Sequence, residues 1–249
     1  MNAFDVTLLK KSGYENGWES LLDSTSEHLV LGSARHAQEL EIQESDEGWI
    51  LSFSDFTMRQ ELSRRLGAKV DERFLVARSE EIDAILRVAA ELAMALPSHP
   101  LQEFVETLKQ QGIGEGPEKT EVERLVRQRV GQDLFRKGLM RYWQGRCAVT
   151  SVAVPEVLRA SHAKPWAECA SDAERLDVFN GFLLVANLDA LFDRGLISFD
   201  PDGNCLVSEQ LGDDAAAALG VSRSTRLRWV ADEHERYLTW HREKVFGRV

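Results

Sequence analysis

The sequence predicts an α+β protein: a small N-terminal α+β domain followed by a helical lead-in and a second mixed domain. Three observations carry this. The first hundred residues combine strand-like alternation with amphipathic helical stretches. A Gly-rich polar run, GIGEGPEKT, then breaks the apolar pattern. Beyond it, a long helical periodicity gives way to short strand and helix segments. The expected division is residues 1–111, a linker at 112–119, and residues 120–249. A chain of 249 residues is long enough to bury a core in each part.

In the N-terminal part, EHLVLGS, QELEIQE and GWILSFS read as strands. The alternation is clearest where Trp49, Leu51 and Phe53 face away from Ile50 and Ser52. Asp55 or Thr57 can cap a helix running to Leu66, with Gly67 as its stop. A second helix after Ser79 keeps Ile82, Ile85, Leu86, Ala89, Leu92, Ala93 and Leu96 on one face, and Pro97 ends it. Ser98 can cap a third, carrying Phe104, Val105 and Leu108 and closing near Gly112. Trp18, Trp49, Phe53 and Phe56 are expected to pack as core rather than to line a pocket.

After the linker, Val122, Leu125, Val126, Val130, Leu134, Phe135, Leu139 and Tyr142 recur at steps of three and four. Glycine inside a helix costs about 1 kcal/mol. Gly131 and Gly138 therefore predict two helices meeting near Gly131 rather than one rod. The segments then shorten to CAVTS, VLRASHAK, GFLLVAN, a brief helix LDALFDR, and LISFD and CLVS joined by a turn at Asp200-Pro201-Asp202-Gly203. Ser171 and Glu174 have the spacing of a capping box, RLRWV reads as a strand, and a closing helix surrounds Tyr237, Trp240 and Val245. Trp166 is expected in the core.

Composition excludes some functions. No run approaches 18 apolar residues, so no membrane partner is expected. Three widely spaced cysteines without a CxxC pair, and no secretory signal, suggest reduced thiols in a cytoplasmic protein and argue against a zinc ribbon. The net charge of −11 is unevenly spread. Residues 1–100 hold ten Lys/Arg against eighteen Asp/Glu, whereas residues 124–146 hold seven basic residues against Asp133 alone. That basic face (Arg127, Arg129, Arg136, Lys137 and Arg141 among its members) is either a solvated helix face or a contact for phosphates.

The chemistry concentrates between residues 158 and 195. Hydrolysing a phosphodiester requires an activated water, a held phosphate and a neutralised leaving oxygen. A neutral histidine can serve the first need if a neighbouring acceptor orients its ring, and His162 is the candidate. Asp189 and Asp193 are four residues apart, hence on one helix face, and suit a hard divalent ion. Asn187 is placed either to cap that helix or to add a third oxygen ligand. Lys164 could touch a phosphate or simply be solvated.

Taken together, CAVTS, RASHAKPW, RLDVFNGFLLVANLDALFDRGLISF and YLTWHREKVF resemble the HNH endonuclease family found in many bacterial restriction-type and defence proteins. The resemblance begins near TEVERLVRQRVGQDLFRKGLMRYWQGRC and spans residues 119–246, half the chain. It implies a ββα-metal fold, with His162 as general base and Asn180 orienting that base and holding the loop. It also implies a metal ligand on the helix, at a position that is often histidine in the family. Here no histidine lies between His162 and His234; Asp189 stands nine residues after Asn180, and Asn187 is the competing match. Ser161 replaces the acidic or histidine neighbour that many relatives place before the base.

The expected function is a metal-dependent endonuclease hydrolysing double-stranded DNA, of restriction or defence type, using Mg²⁺ or else Mn²⁺ or another transition metal. A homodimer or higher homo-oligomer is expected, because one such site cuts one strand. The alternatives are a catalytically weakened DNA-binding or regulatory module on the same fold, and a nuclease acting on RNA.

Overall fold

The computed structural model describes residues 1–67, 73–114, 120–222 and 224–248. The chain divides into two compact units, Met1–His99 and Pro100–Val249. That division lies upstream of the Gly-rich stretch, of which residues 115–119 fall outside the described residues.

The first unit opens with helix α1 (Ala3–Glu15), capped by the Asn2 side chain, which accepts a bond from the Asp5 amide. This helix escapes periodicity analysis because its apolar residues are scattered: Leu9 is buried while Phe4 and Tyr14 are exposed. Strands β1 (Ser20–Ser24), β2 (His28–Gly32), β3 (Leu40–Ser45), β4 (Gly48–Phe53) and β5 (Phe74–Val76) form one antiparallel sheet in sequence order. The register places Leu29 opposite Ile42, and Ile42 opposite Leu51, so the alternating apolar residues share one buried face. Helix α2 (Phe56–Leu66) is capped by Asp55, and helix α3 (Ser79–Ala95) buries Ile82, Leu86 and Ala89. Trp18 and Phe53 lie in the core, the Trp18 indole donating to the Leu86 carbonyl at 3.0 Å, but Phe56 is exposed. Among the described residues, no helix is long and apolar enough to cross a membrane.

The second unit takes in most of helix α4 (Ser98–Gln110) and the 22-residue helix α5 (Glu121–Tyr142). The expected break near Gly131 does not occur. Thr120 and Glu123 start α5 with a reciprocal capping box, and the helix runs through both glycines. Gly131 is there for packing: a Cβ on it would lie 2.1 Å from Cη2 of Trp166. The indole sits on the bare helix backbone, and that contact offsets the weak helical preference of glycine.

Next come β6 (Leu158–His162), α6 (Asp172–Leu176), β7 (Gly181–Val185) and α7 (Ala186–Asp193). The β6–β7 hairpin packs against α5 and α7, which buries Leu183, Leu184, Leu188 and Phe192. Ser171 caps α6, but the reciprocal arm of its expected capping box is missing, because the Glu174 carboxylate goes to the Ala170 amide and to Lys164. Strands β8 (Ile197–Phe199) and β9 (Cys205–Val207) form the expected hairpin, whose turn is closed by the Gly203 amide on the Asp200 carbonyl. After α8 (Asp213–Ala218), the RLRWV segment forms no strand. It makes one antiparallel bridge, Arg226 with Asn204, before the Arg228 amide turns to the Ala148 carbonyl, so no ladder develops. Helix α9 (Glu235–Lys244) closes the unit, and Tyr237 and Arg236 bond to the buried Asp177 carboxylate at 2.9 and 2.5 Å.

Candidate active site

The site is built where β6 ends. Side chains alternate along a strand, so neighbours face opposite ways. His162 turns to α5, and Ser161 turns to α7. His162 stacks on Phe135, with centroids 3.7 Å apart and planes 14° off parallel, and Trp166 meets it edge-on at 6.1 Å. Gly181 lies opposite His162 in the register; a Cβ there would come within 2.7 Å of Phe135, so its absence lets α5 bring that ring up to the hairpin.

The His162 ring orientation has a definite source. Its Nε2 lies 2.9 Å from the Arg175 carbonyl oxygen. A carbonyl only accepts, so Nε2 carries the proton and Nδ1 keeps the lone pair. Burial pushes the pKa down to about 4, against a weaker raising effect of that hydrogen bond. At neutral pH the imidazole is therefore neutral and able to take a proton.

The Asn180 side chain is fully buried, and none of its hydrogen bonds goes to His162. Instead its Oδ1 accepts from the Lys164 amide at 2.8 Å, and its Nδ2 donates to the carbonyls of Lys164 and Glu174 at 3.2 and 3.0 Å and to Sγ of Cys169 at 3.3 Å. Its backbone carbonyl accepts from Ala163 at 2.9 Å. Asn180 thus ties Lys164 and Cys169, in the loop after β6, to Glu174 of α6, and the His162 ring is oriented by the residue that follows Glu174.

On the α7 side, Ser161 is buried and its hydroxyl bonds to Asp193 Oδ1 at 3.1 Å. Asp189 lies one turn earlier, where the nearby Ser161 hydroxyl and Arg159 partly offset the effect of burial on its carboxyl. Burial raises the pKa of both carboxyls, and the charge of Asp189 raises that of Asp193 further. Two carboxyls one helical turn apart thus crowd like charge beside a buried hydroxyl. Among the described residues, no three His, Cys, Asp or Glu side chains gather as a complete metal site. Asn187 stands apart from this pair. It lies inside α7, whose N-cap is Val185, and its amide donates to the Leu219 carbonyl at 2.8 Å.

His241, which the sequence reading passed over, secures the end of α7. Its Nε2 bonds to the Phe192 carbonyl at 3.0 Å, its Nδ1 to the Ser198 hydroxyl at 3.0 Å, and its ring stacks on Phe192 at 3.9 Å. One donor and one acceptor suit a neutral imidazole, and burial holds its pKa down at about 4. A cleft of about 320 Å³ is lined by His162, Trp166, Asp193, His241 and Val245, among others. Trp166 is thus half-buried at a cleft wall rather than a core residue.

The basic face is largely committed within the fold. Arg127 pairs with Asp172 at 2.8 Å, and Arg136 donates to the carbonyls of Leu158 and Pro155 at 2.7 and 2.9 Å. Lys137 lies 3.5 Å from Glu103, and Lys164 lies 3.0 Å from Glu174. Arg129 is exposed, and Arg141 is half-buried.

Residues 147–200 match a family model, HNH_2, described as HNH endonuclease. The matched segment lies in the C-terminal half of the chain and contains His162, Asn180, Asp189 and Asp193. A search of curated proteins finds no match.

Proposed function

We propose that this protein is an endonuclease hydrolysing DNA phosphodiester bonds, with His162 as general base and a divalent ion, Mg²⁺ or Mn²⁺, held by Asp189 and Asp193. The observation that carries this reading is the tethered histidine. Its Nε2–H is committed to the Arg175 carbonyl, its Nδ1 is left as acceptor, and its ring lines the same cleft as Asp193.

In this reading, Nδ1 of His162 takes a proton from water as the water oxygen attacks phosphorus and the bond to the leaving oxygen breaks. The phosphate charge brought by substrate raises the proton affinity of the imidazole, offsetting the effect of its burial. Asp189 and Asp193 would hold the ion through carboxylate oxygens. When bound, the ion supplies charge neutralisation at the phosphate and the leaving oxygen. An all-oxygen pair fits a hard ion where many relatives offer histidine. Arg129, Lys137 and Arg141 remain the candidates for phosphate contact on α5. The restriction or defence setting follows from the family likeness, and double-strand cleavage calls for two chains acting together.

The test is nicking of supercoiled plasmid with Mg²⁺ or Mn²⁺ by the wild type and by His162→Ala. The wild type is expected to nick and the variant to bind DNA without nicking. Equal activity in both, or none in either at high enzyme and metal, overturns the assignment. Structured RNA serves as the comparison substrate.

A further inference from the structure

We propose that Arg175 is the positioning residue of the base, its guanidinium clamping the loop between β6 and α6 so that its own carbonyl holds His162 as the Nε2–H tautomer. The inference rests on reading His162 as the base and deepens it.

The guanidinium uses all three of its nitrogens on this one loop. Nε donates to the Trp166 carbonyl at 3.2 Å, Nη2 to the Cys169 carbonyl at 2.9 Å, and Nη1 to Asp172 Oδ1 at 2.9 Å. Its centre also lies over the Trp166 ring, 5.6 Å from the centroid. Asp172 carries the restraint onward, because its second oxygen accepts from Arg127 of α5 at 2.8 Å. The same helix supplies Phe135, on which His162 stacks. Both restraints on the imidazole, the stacked ring and the carbonyl acceptor, are thereby referred to α5. Trp166, held by Arg175, abuts the Gly131 surface of that helix as well.

Two features separate this from an ordinary stabilising ion pair. The residue whose guanidinium fastens the loop is the residue whose carbonyl meets the histidine, so a loosened clamp acts directly on that acceptor. Asn180 ties Lys164 and the Cys169 thiol to Glu174, whereas the backbone carbonyls of Trp166 and Cys169 and the Asp172 carboxylate are bound by Arg175. A histidine tautomer is set by the partner of its other nitrogen. Losing the carbonyl would admit the Nδ1–H form, which cannot accept a proton at Nδ1. Loss of such an outer contact typically lowers activity by about 10–100-fold. Arg127 thereby acquires a role within the site instead of a contact with phosphate.

The experiment reads the tautomers of His162 and His241 by long-range ¹H–¹⁵N correlation in ¹⁵N-histidine-labelled full-length protein. It compares the wild type with Arg175→Lys, Arg175→Gln and Asp172→Asn. The wild type should show His162 as Nε2–H alone. Arg175→Gln should populate the Nδ1–H form and lower kcat for plasmid nicking by about tenfold or more with KM nearly unchanged. Asp172→Asn and Arg175→Lys should move in the same direction by less. His241, held by Phe192 and Ser198, should keep its pattern throughout and so report an intact fold. An unchanged His162 tautomer in Arg175→Gln overturns the proposal. Collapse of the His241 pattern together with that of His162 in all three variants would mean a structural role alone and overturns it too. A wild type that nicks no DNA defeats the nuclease reading instead, and the tautomer comparison still decides the role of Arg175.

Discussion

Asp189 and Asp193 lie one turn apart on α7, and the direction of their pKa shifts gives them an unusual sign. Both folded-state values are raised, so the charged forms burden the fold, and stability present at low pH is lost as pH rises through those values. Asp193→Asn should therefore leave the metal-free protein as stable as the wild type or more so. Added Mn²⁺ should raise the Tm of the wild type by binding the folded state and leave the variant nearly unmoved. Differential scanning fluorimetry with and without metal measures both effects. Asn187→Ala should keep the full metal response, because its amide is committed to Leu219 on another segment.

The two tethered histidines have the opposite sign. His162 and His241 have folded pKa values lowered to about 4 from 6.5, so between those values the unfolded chain binds more protons. Stability is fully present above about pH 6.5 and falls as pH drops towards 4. Urea denaturation across that window should show the fall, and His162→Gln should show a shallower one. An unchanged slope in the variant would mean that His162 is not held neutral by its surroundings.

At the scale of elements, α5 illustrates how a local rule is overridden. Gly→Ala in an exposed helix interior stabilises by about 1 kcal/mol. At Gly131 the new methyl would meet the Trp166 ring, and overpacking of this kind costs about 1–3 kcal/mol. Gly131→Ala should therefore destabilise the protein, and pairing it with Trp166→Leu should recover part of the loss; equilibrium unfolding measures both. The glycine that argues for a break in the sequence is thus what allows one continuous helix to back the site. Element identity was legible wherever one face is apolar, as in α3 or β4. It was not legible in α1, whose apolar residues are scattered, nor in RLRWV, whose pairing partners belong to separate segments.

At the scale of the whole molecule, the two units differ in charge. Residues 1–100 carry −8 of the total of −11, so the remainder, which holds the segment similar to HNH endonucleases, is much closer to neutral. A fragment of residues 100–249 should fold cooperatively, because it contains its own core around Phe135, Phe179, Phe182 and Phe192. It should also bind nonspecific DNA more tightly than the full chain at low salt, with the difference closing as salt screens the repulsion. Fluorescence anisotropy with a labelled duplex across a salt series tests this. Equal affinities at every salt concentration would show that the acidic unit does not act on the DNA site electrostatically.

The sequence by itself determined the α+β class, the hairpins, the short α7 helix, and the run from His162 through Asn180 to Asp193. Those properties are written in local periodicity, turn residues and motif spacing. Only the tertiary structure decided which atom orients His162, because a backbone carbonyl has no residue signature. The acceptor proved to belong to Arg175, thirteen residues along a loop whose path depends on buried hydrogen bonds from Asn180 and Arg175. It also decided that Ser161 joins Asp193 while Asn187 stands apart, since strand alternation sends neighbouring side chains to opposite faces and helix phase separates Asn187 from the aspartate face. His241 became visible only in the same way, through its contact with the last turn of a helix 49 residues earlier in the chain.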